Sequence, residues 1–387
     1  MYAMEQICSF EQGPIRPPSE AKSLLIRATR NCPWNRCAFC HTYRNRRFEL
    51  RKVADIKKDI QVIRDIADRL REISWRYGEG GRVSEAVVNH IYSQDQVYSD
   101  GFRSVAAWLY WGADSVFIQD ANSIVMKTED LVEALSFIRE KFPSVNRITS
   151  YCRSQTAARK TVDDFRMLKS AGLSRIHIGM ESGYDPLLQF VNKGVTAAEH
   201  IEGGKKILEA GISLCEYVMP GLGGNRWSRE HAEETARVIN QINPDYVRLR
   251  SLHVVEDTGL FEMMKKGDFT PLGDEEIVRE IRLFIEHLDG IETTIVSDHI
   301  LNLLEELEGK LPEDKAKLLG VIDSFFALPL EKRLIYRIGR RTGVYRKLND
   351  LLDMNTFSQL KNLLEQYDTK EPDQLEKDIS RIMQGYI

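Results

Sequence analysis

The chain has 387 residues, 42% of them hydrophobic and 29% charged, enough to bury one large core plus an appendage. Its formal net charge of −4 excludes a globally basic nucleic-acid binder while leaving room for a local basic patch. No apolar run approaches the roughly 20 residues of a membrane helix and the N-terminus lacks a signal-peptide pattern, so a cytoplasmic protein without membrane contact is expected.

Residues 1–22 carry Gly13, Pro14, Pro17 and Pro18 and read as an extended lead-in. Residues 23–29 form a strand-like apolar run, followed at once by Cys32, Cys37 and Cys40. Five basic residues come next (Arg44, Arg46, Arg47, Arg51 and Lys52), and then a helical period of Ile56, Ile60, Ile63, Ala67 and Leu70. Gly78, Gly80 and Gly81 break that helix, and residues 82–111 read as a helical insertion ending near Trp108 and Trp111. From there strands at 115–118, 147–151, 175–179, 212–219 and 245–252 alternate with helices at 128–141, 161–171, 196–210 and 229–242. With the strand before the thiols this makes six β/α steps, so the expected fold is α/β, a partial (β/α)6 TIM-type barrel over residues 23–270. Residues 271–387 form a mainly helical C-terminal extension, with a last strand at 293–296.

Six cysteines in this length do not make a disulfide scaffold, and half of them fall within nine residues as C-x4-C-x2-C. That spacing aims three sulfurs at one point from a loop leaving a strand, as a soft metal or an iron–sulfur cluster requires, in a reducing compartment. Three thiols leave a four-coordinate ion or a cubane one ligand short, and an open position suits a catalytic site. Cys8, Cys152 and Cys215 are scattered and read as small buried hydrophobes.

The thiol loop, with Phe39 just before its last cysteine, resembles the cluster loop of the radical SAM enzymes; the five-residue advance from Cys32 to Cys37 is that of members related to the Elongator catalytic subunit. The run Gly179-Met180-Glu181-Ser182-Gly183 is similar to a segment of the oxygen-independent coproporphyrinogen oxidases and tRNA methylthiotransferases. Lys193 follows twelve residues after Glu181, and Gly221-Leu222-Gly223-Gly224 looks like the family's G-L-P-G turn. The resemblance covers about residues 20–255 and implies a [4Fe–4S] cluster on Cys32, Cys37 and Cys40 and an oxygen-sensitive enzyme. It further implies S-adenosylmethionine on the open iron, cleaved reductively to a 5′-deoxyadenosyl radical that abstracts hydrogen. An electron donor of flavodoxin or ferredoxin type is implied as partner.

Of the cofactor contacts, Phe39 would pack near the adenine, Lys193 would neutralise the carboxylate and Glu181 would accept from the ribose hydroxyls or the amine. Asp120 stands where the family has a glycine-rich contact to the methionine amine. Tyr151 and Arg153 end the third strand at the same rim. Glu216 alternates with Cys215 and is expected to face the barrel interior. His41 reads as a loop residue beside the cluster, and no catalytic residue is assigned. The expected substrate is a small molecule. One alternative is a tRNA, with the seven basic residues between Lys332 and Lys347 as the RNA surface; that stretch otherwise reads as a solvated helix face. A second alternative, of another class, is a non-enzymatic three-thiolate zinc site completed by His41.

Overall fold

The computed structural model of the chain describes residues 9–94 and 97–365. Cys8 lies outside the described residues. The chain divides into two compact units. The first takes in the chain up to Asn35, Thr42–Ile178 and Glu202–Leu214; the second takes in Arg36–His41, Gly179–Ile201 and the chain from Cys215 onward. Among the described residues no helix is long and apolar enough to cross a membrane.

The first unit begins with β1 (Leu24–Arg27) and a two-stranded antiparallel hairpin of β2 (Thr29–Arg30) and β3 (Glu49–Leu50). The expected long helix is α1 (Val53–Arg76), which buries Ile56, Ile60, Ile63, Ala67 and Leu70 and also Ile66 and Ile73. The insertion resolves into α2 (Glu85–Tyr92) and α3 (Asp100–Tyr110), and Trp108 donates its indole N–H to the Ser115 carbonyl at 2.9 Å. Next come β4 (Ser115–Gln119), α4 (Thr128–Lys141), β5 (Arg147–Cys152), the short α5 (Ser154–Arg159), α6 (Val162–Ser170) and β6 (Leu173–Glu181). Strands β1, β4, β5 and β6 pair in that order, all parallel. Every residue of β4 is buried, as a strand covered on both faces requires. Thr161 and Asp164 cap α6 reciprocally.

Beyond the short α7 (Asp185–Phe190), the helix α8 (Ala197–Glu209) and β7 (Ser213–Val218), the second unit continues with α9 (Gly224–Ile242), β8 (Tyr246–Leu249), α10 (Gly259–Lys266), α11 (Asp274–His287), β9 (Thr294–Val296) and β10 (Gly309–Lys310). Helices α12 (Lys315–Phe326), α13 (Leu330–Arg341) and α14 (Met354–Leu364) complete the described chain. Strands β7, β8 and β9 pair in parallel and β10 closes antiparallel on β9. The chain is therefore α/β, with the parallel β/α alternation expected from its sequence.

Three local readings change. Helix α9 starts at Gly224, inside the glycine run read as a turn, because Gly224 takes φ +52 and the first helical turn is irregular at Trp227 (φ −135, ψ 22). Strand β8 stops at Leu249 because Asn302 captures the backbone after it: its Oδ1 accepts from Ser251 N at 2.8 Å and its Nδ2 donates to the Leu249 carbonyl at 2.8 Å.

The third correction concerns the basic stretch 332–347, which is not a solvated face. Arg337, Arg340 and Arg341 are buried at 3–4% exposure. Arg337 and Arg341 hold the carboxylate of Asp274, at 3.3 Å from Arg337. Arg340 donates to the carbonyls of Asn302 (2.8 Å) and Leu303 (2.9 Å), and Arg341 to that of Leu301 (2.9 Å). Burial works to raise the Asp274 carboxyl, but the two guanidiniums outweigh it and hold its pKa at about 2. Of the seven cations, Lys332, Arg346 and Lys347 are the exposed ones, and Arg346 pairs with Glu305.

Candidate active site

The loop of three thiols runs through both units: Cys32 belongs to the first, Cys37 and Cys40 to the second. None of the three is in a disulfide and each is half-buried.

In the first unit the start of the loop is tied to the exit of β4. Asp120, fully buried, accepts from Arg27 Nη2 at 2.8 Å, from the Asn31 backbone N–H at 3.2 Å and from the Tyr43 hydroxyl. Asp120 thus positions the residue before Cys32. Asn31 and Asn35 both sit at positive φ (66° and 50°), and their side-chain amides donate to the carbonyls of Arg47 (2.6 Å) and Arg46 (2.8 Å). Asparagine tolerates that backbone and supplies the amide that closes each turn. Arg153 lays its guanidinium over the Trp34 ring at 5.4 Å, bracing the loop between Cys32 and Cys37. Tyr151 is half-buried and packs edge-on to Phe117 (5.0 Å) and His177 (6.0 Å).

In the second unit the Cys37–Cys40 turn closes with Cys40 N donating to the Cys37 carbonyl at 3.2 Å. Ala38 fixes it on two sides: its N–H donates to the Val191 carbonyl and its carbonyl accepts from Leu260 N, both at 2.8 Å. The close approach needs Gly259, where an added Cβ would lie 3.3 Å from Ala38 Cα. Glu181 and Lys193, assigned separately to the cofactor, meet each other here at 2.9 Å, with side chains 13% and 10% exposed. The Lys193 ammonium also lies 5.6 Å from the centre of the Phe39 ring. Glu181 holds φ +67, an uncommon conformation for a non-glycine residue. Gly179 makes room for it, since a Cβ there would fall 2.4 Å from Glu181 Oε1.

Behind that acid lies a buried polar network. His231 donates from Nε2 to the Met219 carbonyl (3.0 Å) and accepts at Nδ1 from the Ser182 hydroxyl (2.9 Å). Glu280 accepts from Gly221 N (2.6 Å) and from Ser228 Oγ (2.5 Å). Burial holds His231 down to about 4, against the bond to Met219. Burial also pushes Glu280 up to about 7, against the bonds from Ser228 and Gly221. The two groups face each other at 3.6 Å as a neutral pair, bracing the Glu181–Gly183 run and the Gly221 turn.

Glu216 lies on β7. It shares its strand face with Leu214 and Val218 and, through the β7–β8 pairing, borders Val247 and Leu249, all buried and apolar. Cys215 and Tyr217 take the other face, beside Arg248. Glu216 is fully buried and among the described residues neither oxygen has a hydrogen-bond partner; burial, with the Glu181 charge adding to it and Lys193 opposing it, pushes its pKa well above the ordinary carboxylate range.

Three cysteines on one short loop are the donor set of an iron–sulfur cubane, and in the second unit Ala38, between Cys37 and Cys40, packs into the buried apolar cluster of Leu187, Val191, Met219, Leu222 and Leu260. Among the described residues no three His, Cys, Asp or Glu side chains are grouped as for a single metal ion. The sequence reading missed Arg27, Tyr43, His231, Glu280 and Asn302, whose partners lie far away in the chain and carry no motif.

Residues 105–239 match the radical SAM superfamily. The tRNA uridine(34) acetyltransferase of Methanocaldococcus jannaschii is 28% identical over 190 residues, 49% of this chain and 32% of that protein. Elongator complex protein 3 of Schizosaccharomyces pombe is 24% identical over 214 residues, 50% of this chain and 39% of that protein. The match thus spans about a third of the length of these relatives. A solved structure of the archaeal Elp3 of Methanocaldococcus infernus aligns with a TM-score of 0.38 at 18% identity, over 47% of this chain and 46% of that one. The three-thiol loop and the Glu181 segment thus stand on a chain that is similar over about half its length to Elongator-type proteins and whose residues 105–239 match the radical SAM superfamily, a class whose cofactors are [4Fe–4S] and S-adenosylmethionine.

Proposed function

We propose that the chain is a radical SAM enzyme acting on a transfer RNA. The observation that carries the class is the C-x4-C-x2-C loop on a chain whose residues 105–239 match the superfamily. For the substrate, support comes from the relative named a tRNA uridine(34) acetyltransferase. The small-molecule expectation has no comparable support. The RNA surface is not the buried stretch 332–347; exposed Arg44, Arg46 and Arg47, immediately after the thiols in the chain, offer a better one.

Cys32, Cys37 and Cys40 would hold the cluster through three thiolates. When bound, the cluster and S-adenosylmethionine would supply the electron and the 5′-deoxyadenosyl radical of this class. Lys193 would neutralise the cofactor carboxylate and Glu181 would accept from the ribose hydroxyls. Phe39 and the apolar residues around Ala38 would exclude water. The electron would come from a donor of flavodoxin or ferredoxin type, in a cytoplasmic setting that keeps the thiols reduced. The test is 5′-deoxyadenosine release by the reconstituted enzyme with and without unmodified tRNA transcripts. The expected result is release stimulated by tRNA and abolished by ribonuclease. Equal release with and without RNA, together with no retention of RNA at low salt, overturns the substrate assignment.

A further inference from the structure

The ends of β8 and β9 carry two arginines and a histidine that the mechanism above does not use. Arg248 and Arg250 are two residues apart on β8 and its continuation, where Arg250 N still donates to the Val218 carbonyl at 3.0 Å. They therefore point to the same side of the strand. Arg248 is 8% exposed; one of its nitrogens reaches both oxygens of Asp298, at 3.0 and 2.8 Å, while its buried Nε has no partner. Arg250 is exposed, and among the described residues no carboxylate pairs with it. His299 follows Asp298 directly and accepts at Nδ1 from Leu301 N (3.2 Å), so its neutral ring carries its proton on Nε2. Burial and the charges of Arg250 and Arg248 keep that ring neutral, with a pKa of about 4.

These groups stand on a rigid support. The fully buried Asn302 binds the Leu249 carbonyl, Ser251 N and Ser251 Oγ, and its own N–H closes a turn on the His299 carbonyl at 2.9 Å. The carbonyls of Leu301, Asn302 and Leu303 are in turn held by Arg340 and Arg341 of α13. The basic stretch thus acts from the interior, holding the loop that presents His299 beside Arg250. Two fixed cations against one carboxylate leave a net positive charge, an unpartnered buried N–H and an imidazole donor: the composition of a site for an oxyanion.

We infer that Arg248, Arg250 and His299 form a phosphate-binding site for the substrate. On the reading proposed above, on which this inference rests, the ligand is a backbone phosphate of the RNA strand whose nucleotide is modified. A phosphorylated small substrate would use the same chemistry.

The test is binding of a fluorescent tRNA transcript to the reconstituted full chain across a salt series, for wild type, Arg250→Gln, Arg250→Lys and the exposed control Lys332→Gln, with binding of inorganic phosphate measured in parallel. Loss of one phosphate contact should weaken RNA binding several-fold in Arg250→Gln and lower the slope of log K against log salt by about 1. Arg250→Lys should keep the slope, and Lys332→Gln should match wild type. If wild type binds RNA and Arg250→Gln does so with the same affinity and slope, the inference fails. The inference also fails if Arg250→Gln weakens only S-adenosylmethionine binding. If wild type ignores RNA but binds inorganic phosphate in an Arg250-dependent way, the site stands and the tRNA reading falls. If it binds neither, both fall. Unfolding of Arg250→Gln would be detected by circular dichroism, and His299→Gln, on the other side of the site, must then show the same loss.

Discussion

Replacing Glu280 with glutamine should change how stability depends on pH more than it changes stability itself. Glu280 is 4% exposed, accepts from Gly221 N and Ser228 Oγ, and has its pKa pushed up from 4.5 to about 7. Its folded-state pKa is raised, so the folded protein binds more protons than the unfolded chain between pH 4.5 and 7. Glu280 thus contributes stability that is fully present below 4.5 and is lost as pH rises through 7. The interval of about 2.5 pH units corresponds to about 3 kcal/mol. His231 works in the opposite sense, because its folded pKa of about 4 lies below the ordinary 6.5 and its contribution grows as pH rises through that range. The two nearly cancel in the wild type. Glutamine imitates the neutral acid and removes one side of the balance. Urea unfolding of the apo-protein, followed by tryptophan fluorescence at pH 4.5, 6 and 8, measures both proteins. Glu280→Gln should gain about 3 kcal/mol relative to wild type between the lowest and highest pH. A difference that stays constant with pH would refute the neutral-pair reasoning.

Two further outcomes follow from the packing. Arg341→Met removes one of the two guanidiniums on Asp274 and the bond to the Leu301 carbonyl; removing a partner from a buried pair should cost about 3 kcal/mol in urea unfolding, whereas a loss under 1 kcal/mol would return Arg341 to the surface role its sequence suggested. Gly179→Ala puts a Cβ 2.4 Å from Glu181 Oε1, the far end of a flexible side chain, so the fold should survive while Glu181 is displaced. Affinity for S-adenosylmethionine, measured by equilibrium dialysis on the reconstituted protein, should fall about tenfold, equivalent to about 1.4 kcal/mol. An unchanged affinity would separate Glu181 from the cofactor.

Local pattern carried most of what the sequence revealed. The thiols lie within nine residues and needed no tertiary information. Strand β4 and helix α1 were legible because their burial follows the two simple periods of a buried strand and an amphipathic helix. The motif offset singled out Glu181 and Lys193 but not their mutual pairing, because an offset names residues without showing what each touches. The partners of Asp120 were hidden for the same reason: Arg27 lies 93 residues away and Tyr43 77 away. The stretch 332–347 shows the limit most clearly. Composition counts charges, but whether a cation is solvated depends on partners such as Asp274 and the carbonyls of residues 301–303, which only the fold brings to it. For Glu216, alternation names the strand face it shares with Leu214 and Val218 but not its neighbours across the sheet, which the β7–β8 register supplies.

The most direct test of the central claim is electron paramagnetic resonance of the anaerobically reconstituted, dithionite-reduced protein, with and without S-adenosylmethionine. The account predicts a [4Fe–4S]+ signal that the cofactor perturbs, release of 5′-deoxyadenosine, and loss of both when Cys32, Cys37 or Cys40 is replaced by alanine. Failure to assemble iron, or a signal indifferent to the cofactor, would contradict it.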